Sequence, residues 1–223
     1  AGTGIQTAAL AFGGITGNPP LTFTANTELY NGTNWTEQNN LATSRFGFAG
    51  AGTTTAGLGF GGRQGPPTVV ANTEEWVGAG QPVGAWSTGN SMNTARNYLA
   101  SATNGTTSAA LGFGGTPPNT AKTESYNGTN WTEVNDLNNA KHALAGGGTQ
   151  TSAIAFGGGP SPTVKTSTWN GSNWTEVNDL NSGRDALGGT GADNTSALAV
   201  GGNTPPVTGV VELWNGSNWT EVN

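Results

Sequence analysis

Short segments that alternate large apolar and small residues recur along the chain, each closed by two glycines: AALAFGG, AGLGFGG, AALGFGG, SAIAFGG and SALAVGG. Alternation with period two, bounded by glycine, predicts strands rather than helices. The large apolar position before the glycines is Phe12, Phe60, Phe113, Phe156 and Val200. A second aromatic column follows at Tyr30, Trp76, Tyr126, Trp169 and Trp214, and a third at Trp35, Trp86, Trp131, Trp174 and Trp219, usually before Thr-Glu. Every column is filled in every copy, so the chain is a duplicated unit of about 46 residues, a blade-sized period. The units run over residues 1–39, 40–90, 91–135, 136–178 and 179–223, as one domain.

Each unit predicts four strands. Strand A follows a basic residue, as in AKHALAGGG; strand B is the double-glycine segment; strand C is of the type TESY, and strand D of the type WTEV. Asn-Gly-Thr-Asn or Asn-Gly-Ser-Asn joins C to D in four units, and Asn-Gly tolerates the positive φ of a tight hairpin, so C and D pair antiparallel. Small residues in A and B suit a crowded axis. The indole of strand D, worth roughly 150–250 Å² of buried surface, suits the gap between neighbouring blades, where Trp131 is expected to be buried. These features make an all-β, five-bladed propeller.

The order of basic residue, strand, Gly-Gly strand, spaced aromatic and Trp resembles the kelch repeat over the whole chain. The resemblance implies that the loops from B to C and from D to A share one face and bind partners. The near-identical YNGTNWTEVNDLN and WNGSNWTEVNDLN, rich in Asn, Gly and Thr, also resemble arrays in structural and fibre proteins of marine bacteriophages.

Strand A of the first blade is expected to be missing. Ala1–Gly4 matches only the tail of AGAG, and no basic residue precedes it. Nineteen strands would then be present, with Ala1 and Asn223 flanking a gap of about nine or ten residues at an open edge. Continuation of a longer chain past Asn223, or a strand donated by a neighbouring subunit in a homo-oligomer, would fill it.

Composition narrows the function. The chain has 223 residues, a formal charge of -6, no Cys and one His. The acidic balance argues against nucleic acid as partner. No apolar run approaches the about 18 residues of a spanning helix. Without Cys, no disulfide framework or thiolate metal site forms. His142 varies among the units as Phe46, Asn97 and Asp185, which does not suit a catalytic base, and the repeated glutamates lie in like environments, unlike an acid–base pair. No catalytic residue, metal site or cofactor is therefore expected, and the chain reads as a non-enzymatic protein. The Asn-X-Ser/Thr sequons follow from the turn chemistry of the repeat.

The candidate binding residues form two groups. Arg45, Arg96, Lys141 and Arg184 begin strand A, either paired with blade carboxylates or forming a basic collar at one mouth of the channel. All but one of the 11 Pro lie in the B-to-C loops, which differ most between units; Arg63, Pro66, Pro67, Pro117 and Pro118 represent them. Stiff, variable loops on a repeated scaffold suit binding, although proline also terminates strands and blocks edge pairing. The expected function is a structural or adhesion module on a virion or other extracellular surface, taking a protein or cell-surface glycan. The alternatives are a carbohydrate-binding propeller and an intracellular kelch-type adaptor.

Overall fold

The computed structural model describes residues 1–17, 20–65, 67–78, 80 and 83–222. Five four-stranded antiparallel sheets follow one another along the chain, without helix among the described residues. Blade 1 holds β1 (Gly2–Ile5), β2 (Ala8–Thr16), β3 (Thr22–Tyr30) and β4 (Trp35–Gln38); blade 2 holds β5 (Ala49–Gly52), β6 (Ala56–Phe60), β7 (Thr73–Val77) and β8 (Ala85–Gly89). Blade 3 comprises β9 (Ala100–Ser101), β10 (Ala110–Phe113), β11 (Thr123–Tyr126) and β12 (Trp131–Val134). Blade 4 comprises β13 (Ala145–Gly148), β14 (Ala153–Phe156), β15 (Thr166–Trp169) and β16 (Trp174–Val177). Blade 5 comprises β17 (Gly188–Asp193), β18 (Ser196–Asn203), β19 (Val207–Trp214) and β20 (Trp219–Val222).

The first blade corrects the strand count. Gly2–Ile5 pairs with Ala8–Ala11 as a complete strand A, so there are twenty strands rather than nineteen. Strand A is only about four residues long in most blades, so AGTG is the whole strand and not its tail. The basic residue used to mark its start lies outside the strand, as Arg45 precedes Ala49–Gly52. No donated strand is needed. The other flank of the expected gap, Asn223, lies outside the described residues.

The A strands pack against one another around the axis, which explains their Gly and Ala. A Cβ on Gly146 would lie 2.6 Å from the Ser101 carbonyl oxygen, and one on Gly189 2.6 Å from the Ala145 Cβ. The C–D turns use asparagine differently from the simple expectation. In Asn127–Asn130 only Gly128 has positive φ, at 90°, while Asn127 Oδ1 accepts the N–H groups of Thr129 and Asn130 at 2.9 and 2.8 Å. The side chain caps the turn; the glycine bends it.

Four junctions between consecutive blades repeat one arrangement. The phenyl rings of Phe12, Phe60, Phe113 and Phe156 meet the indoles of Trp86, Trp131, Trp174 and Trp219 on the following blade at 4.7–4.9 Å between centroids. Each indole Nε1 donates to a threonine hydroxyl on the preceding blade: Thr27, Thr73, Thr123 or Thr166. The second glycine of strand B donates its N–H to the carbonyl of the next basic residue, as Gly62 does to Arg96 at 2.8 Å. One packed ring, one capped indole and one backbone bond thus fix each blade on the next.

Candidate binding face

The loops expected to share a face do so. Short antiparallel bridges tie the D-to-A linkers to the B-to-C loops at Phe46–Arg63, Asn97–Thr116, His142–Gly159 and Asp185–Asn203. Arg63 is part-buried, its backbone paired with Phe46 and its Nε 3.4 Å from the Gly65 carbonyl oxygen. Pro67, Pro117 and Pro118 are exposed on this face, while Pro66 lies outside the described residues.

The basic column is placed inside the blades. Arg45, Arg96, Lys141 and Arg184 are all buried, so no basic collar surrounds the mouth. The guanidinium groups of Arg45 and Arg184 reach Glu74 and Glu212 at 3.0 and 2.6 Å, and Arg96 lies 3.2 Å from Glu124. Arg45 also donates to the Gly61 and Asn72 carbonyls. The geometry realises the pairing with blade carboxylates, because a planar fork can answer a carboxylate and strand-end carbonyls together. Blade 4 departs from this: Ser167 replaces glutamate, and Lys141 Nζ donates to the Lys165 carbonyl at 3.0 Å. Burial pushes the Lys141 ammonium down to about 8, against the opposing pull of Glu176 and Asp179.

Around the axial mouth, a backbone chain joins the blades. Tyr98 N–H donates to the Gly47 carbonyl at 2.6 Å, Ala143 N–H to that of Tyr98 at 2.8 Å, and Ala186 N–H to that of Ala143 at 2.8 Å. All four residues have φ of 49–63°, which glycine adopts freely and a Cβ-bearing residue rarely does. A tyrosine there is an outlier. Its side chain, 40% exposed, stands at the mouth beside a small hollow of about 250 Å³ lined by Leu99, Leu144 and Leu187.

Tyr98 belongs to an aromatic arc across four blades. Phe23 stacks on Phe46 at 5.1 Å, Phe46 meets Tyr98 edge-on at 5.9 Å, and Tyr98 meets His142 at 6.5 Å. The imidazole Nδ1 of His142 is buried without a hydrogen-bond partner. Asp185 holds the matching position in blade 5. Flat rings, a half-exposed phenol and a carboxylate on one mouth suit adhesion to a ligand with both apolar and hydroxyl surface.

Sequence reasoning singled out His142 only to set it aside, and it overlooked Phe23, Phe46 and Tyr98 as a group. The signal was available in the column Gly47, Tyr98, Ala143, Ala186, where one bulky residue interrupts three small ones. Of the repeated strand D tryptophans, Trp131, Trp174 and Trp219 are buried in the junctions, whereas Trp35 is exposed.

No known protein-family model matches the chain. No curated protein matches it either. Among solved structures, the chain is similar to one described as "Structure of YjhT", with a TM-score of 0.78 at 15% identity. That similarity covers 100% of this chain and 83% of the other, and at this identity it establishes a shared β-propeller fold alone.

Proposed function

We propose that this chain is a non-enzymatic adhesion module of a virion or cell surface, binding a protein or glycan partner through the loop face at the channel mouth. The observation that carries this reading is Tyr98, held in a left-handed conformation with its ring exposed between Phe46 and His142. Backbone strain in a bulky residue is a cost that persists where the surroundings impose it, and such residues cluster at binding sites. The kelch-like repeat and the phage-like composition support the same reading, since in kelch proteins these two loop sets meet partners.

A carbohydrate ligand is the second reading, favoured by the exposed phenol ring of Tyr98 on the same loop face as Asp185. It differs from the notion of one sugar per blade, because the interblade indoles are occupied by packing.

The test uses Tyr98→Gly, which keeps the left-handed backbone and removes the ring. Intact chain and variant are compared on a glycan array and on immobilised host-cell surface protein. Binding that falls at least tenfold in the variant supports the loop face. Unchanged binding, or contacts confined to the Asn-Gly turn face, overturns it. Retention on the array rather than on protein selects the carbohydrate reading.

A further inference from the structure

The four junctions define what each blade needs from its neighbours, and two faces lack it. On the outer face of blade 5, Val200 stands where the other blades have a phenylalanine buried under an indole, and it is 42% exposed. Leu213 on the same face is exposed as well. On the facing side of blade 1, Trp35 is 49% exposed, whereas Trp131, Trp174 and Trp219 are 5–6% exposed. Glu28 is exposed, while Glu74, Glu124 and Glu212 are buried against guanidinium groups. Among the described residues, no hydrogen bond or ring contact joins blade 5 to blade 1. A cleft of about 790 Å³ lies between them, lined by Gly2–Gln6, Gly189–Ala192, Leu198 and Leu213.

The sequence nevertheless keeps the receiving parts. At Gly13, Gly61, Gly114 and Gly157 an added Cβ would lie 2.6–2.9 Å from the carbonyl oxygen of the next blade's basic residue, so glycine is required there. Gly201 retains the same left-handed conformation, with φ of 58°, although its Cβ would meet only the Thr208 carbonyl oxygen at 3.2 Å. Gly202 likewise matches the glycines that donate to that incoming carbonyl, and among the described residues no next-blade carbonyl accepts its N–H. Gly209 has open space where Ala25, Ala71, Ala121 and Val164 pack beneath the linker leucine or methionine of their blades.

We infer that the seam between blades 5 and 1 is a docking surface for one additional unit of the same repeat. Its linker would run over Gly209 and place a carbonyl on Gly202 N–H. Its strand D ring would rest on Val200, Val211 and Leu213, and its own phenylalanine would cover Trp35. The linker leading on to blade 1 would bring a cation to Glu28. The occupant is a whole unit because the exposed surfaces belong to both faces, and a single linker covers neither Trp35 nor Val200. One detail specifies it further. Val211 replaces the threonine that accepts the indole N–H at the other four junctions, so the incoming ring meets an aliphatic wall without an acceptor. A ring without a donor, such as phenylalanine, fits that wall best, because a buried unpaired N–H is costly.

The test extends the intact chain after residue 223 with a copy of residues 136–187, which supplies linker, blade and second linker. In the appended copy, phenylalanine stands at the Trp174 position. A second chain carries only the copy of residues 136–144. Hydroxyl-radical footprinting with mass spectrometry reads Trp35 and Trp131 separately in each, alongside molecular mass. In the chain without extension Trp35 should react several-fold faster than Trp131. The full extension should bring Trp35 to the rate of Trp131 in a monomer and leave the nine-residue extension without effect. Should the extended chain fail to fold, the same 52-residue copy is added in trans to the intact chain, with the same expected protection.

The inference is overturned by Trp35 already protected in the monomeric intact chain, by protection from the nine-residue extension alone, or by persistent reactivity with the full unit in both formats. Protection that appears only in a dimer of the intact chain assigns the seam to a second copy and also overturns it.

Discussion

The indole Nε1 of Trp131 donates to the Thr73 hydroxyl at 2.9 Å, across the junction between blades 3 and 2. The same indole lies 4.7 Å from the Phe60 ring, so one side chain combines apolar packing with a satisfied buried donor. Truncation of Trp131 to alanine should therefore cost about 3–5 kcal/mol, as large aromatic deletions in cores do. Thr73→Val keeps the volume and orphans the N–H, for about 1–3 kcal/mol. Urea unfolding of both single variants and the double variant checks this: in the double variant the threonine change should add almost nothing, because its partner has gone.

The buried ion pairs should differ in worth. Glu212 has both oxygens engaged, one by Arg184 and the other by the backbone and side chain of Asn181. Glu212→Gln leaves a buried guanidinium without its countercharge and should destabilise by about 3–5 kcal/mol. In blade 3 the fit is looser, since Glu124 Oε1 and the Nε and Nη1 of Arg96 lack hydrogen-bond partners. Glu124→Gln should cost less than Glu212→Gln when midpoints of denaturant unfolding are compared.

Lys141 gives a pH dependence of defined sign. Burial lowers its folded-state pKa from 10.5 to about 8. Between those values the unfolded chain binds a proton that the folded chain does not, so stability rises with pH across the window. Below it the charged group imposes a constant penalty of about 3 kcal/mol by the same linkage, and above it both states are neutral. The difference between the intact chain and Lys141→Met isolates this slope from the other titrating groups. A difference that stays flat from pH 7.5 to 10.5 would contradict it.

The blades were legible in the sequence because duplication turns weak local signals into columns. One Phe before Gly-Gly is ambiguous; Phe12, Phe60, Phe113 and Phe156 in register define an interface. The same reliance on columns explains the error at blade 1, where the absent basic residue hid a strand already complete in Gly2–Ile5. Arg45, Arg96, Lys141 and Arg184 illustrate a different limit. A charge repeated at every blade fits both a solvated collar and a buried pair, and only the depth of Glu74, Glu124 and Glu212 in the sheets decides between them. Tyr98 was hidden for the opposite reason: its meaning lies in breaking a column, and the φ that makes its position special is invisible in the side-chain pattern.

The strain at Tyr98 can be separated from the role of its ring. With φ of 52°, the backbone there costs about 1–2 kcal/mol for any residue bearing a Cβ. Glycine removes that strain and adds back roughly 0.5–1 kcal/mol of unfolded-state entropy. Alanine removes the ring and keeps the strain, as Ala143 and Ala186 do at φ of 50° and 49°. Tyr98→Gly should consequently be more stable than Tyr98→Ala by up to about 1 kcal/mol, measured by thermal unfolding under identical conditions. Both variants lack the phenol between Phe46 and His142, so both should lose partner binding to the same extent. If the ring matters only for packing, binding will instead follow stability, and the glycine variant will bind better than the alanine variant.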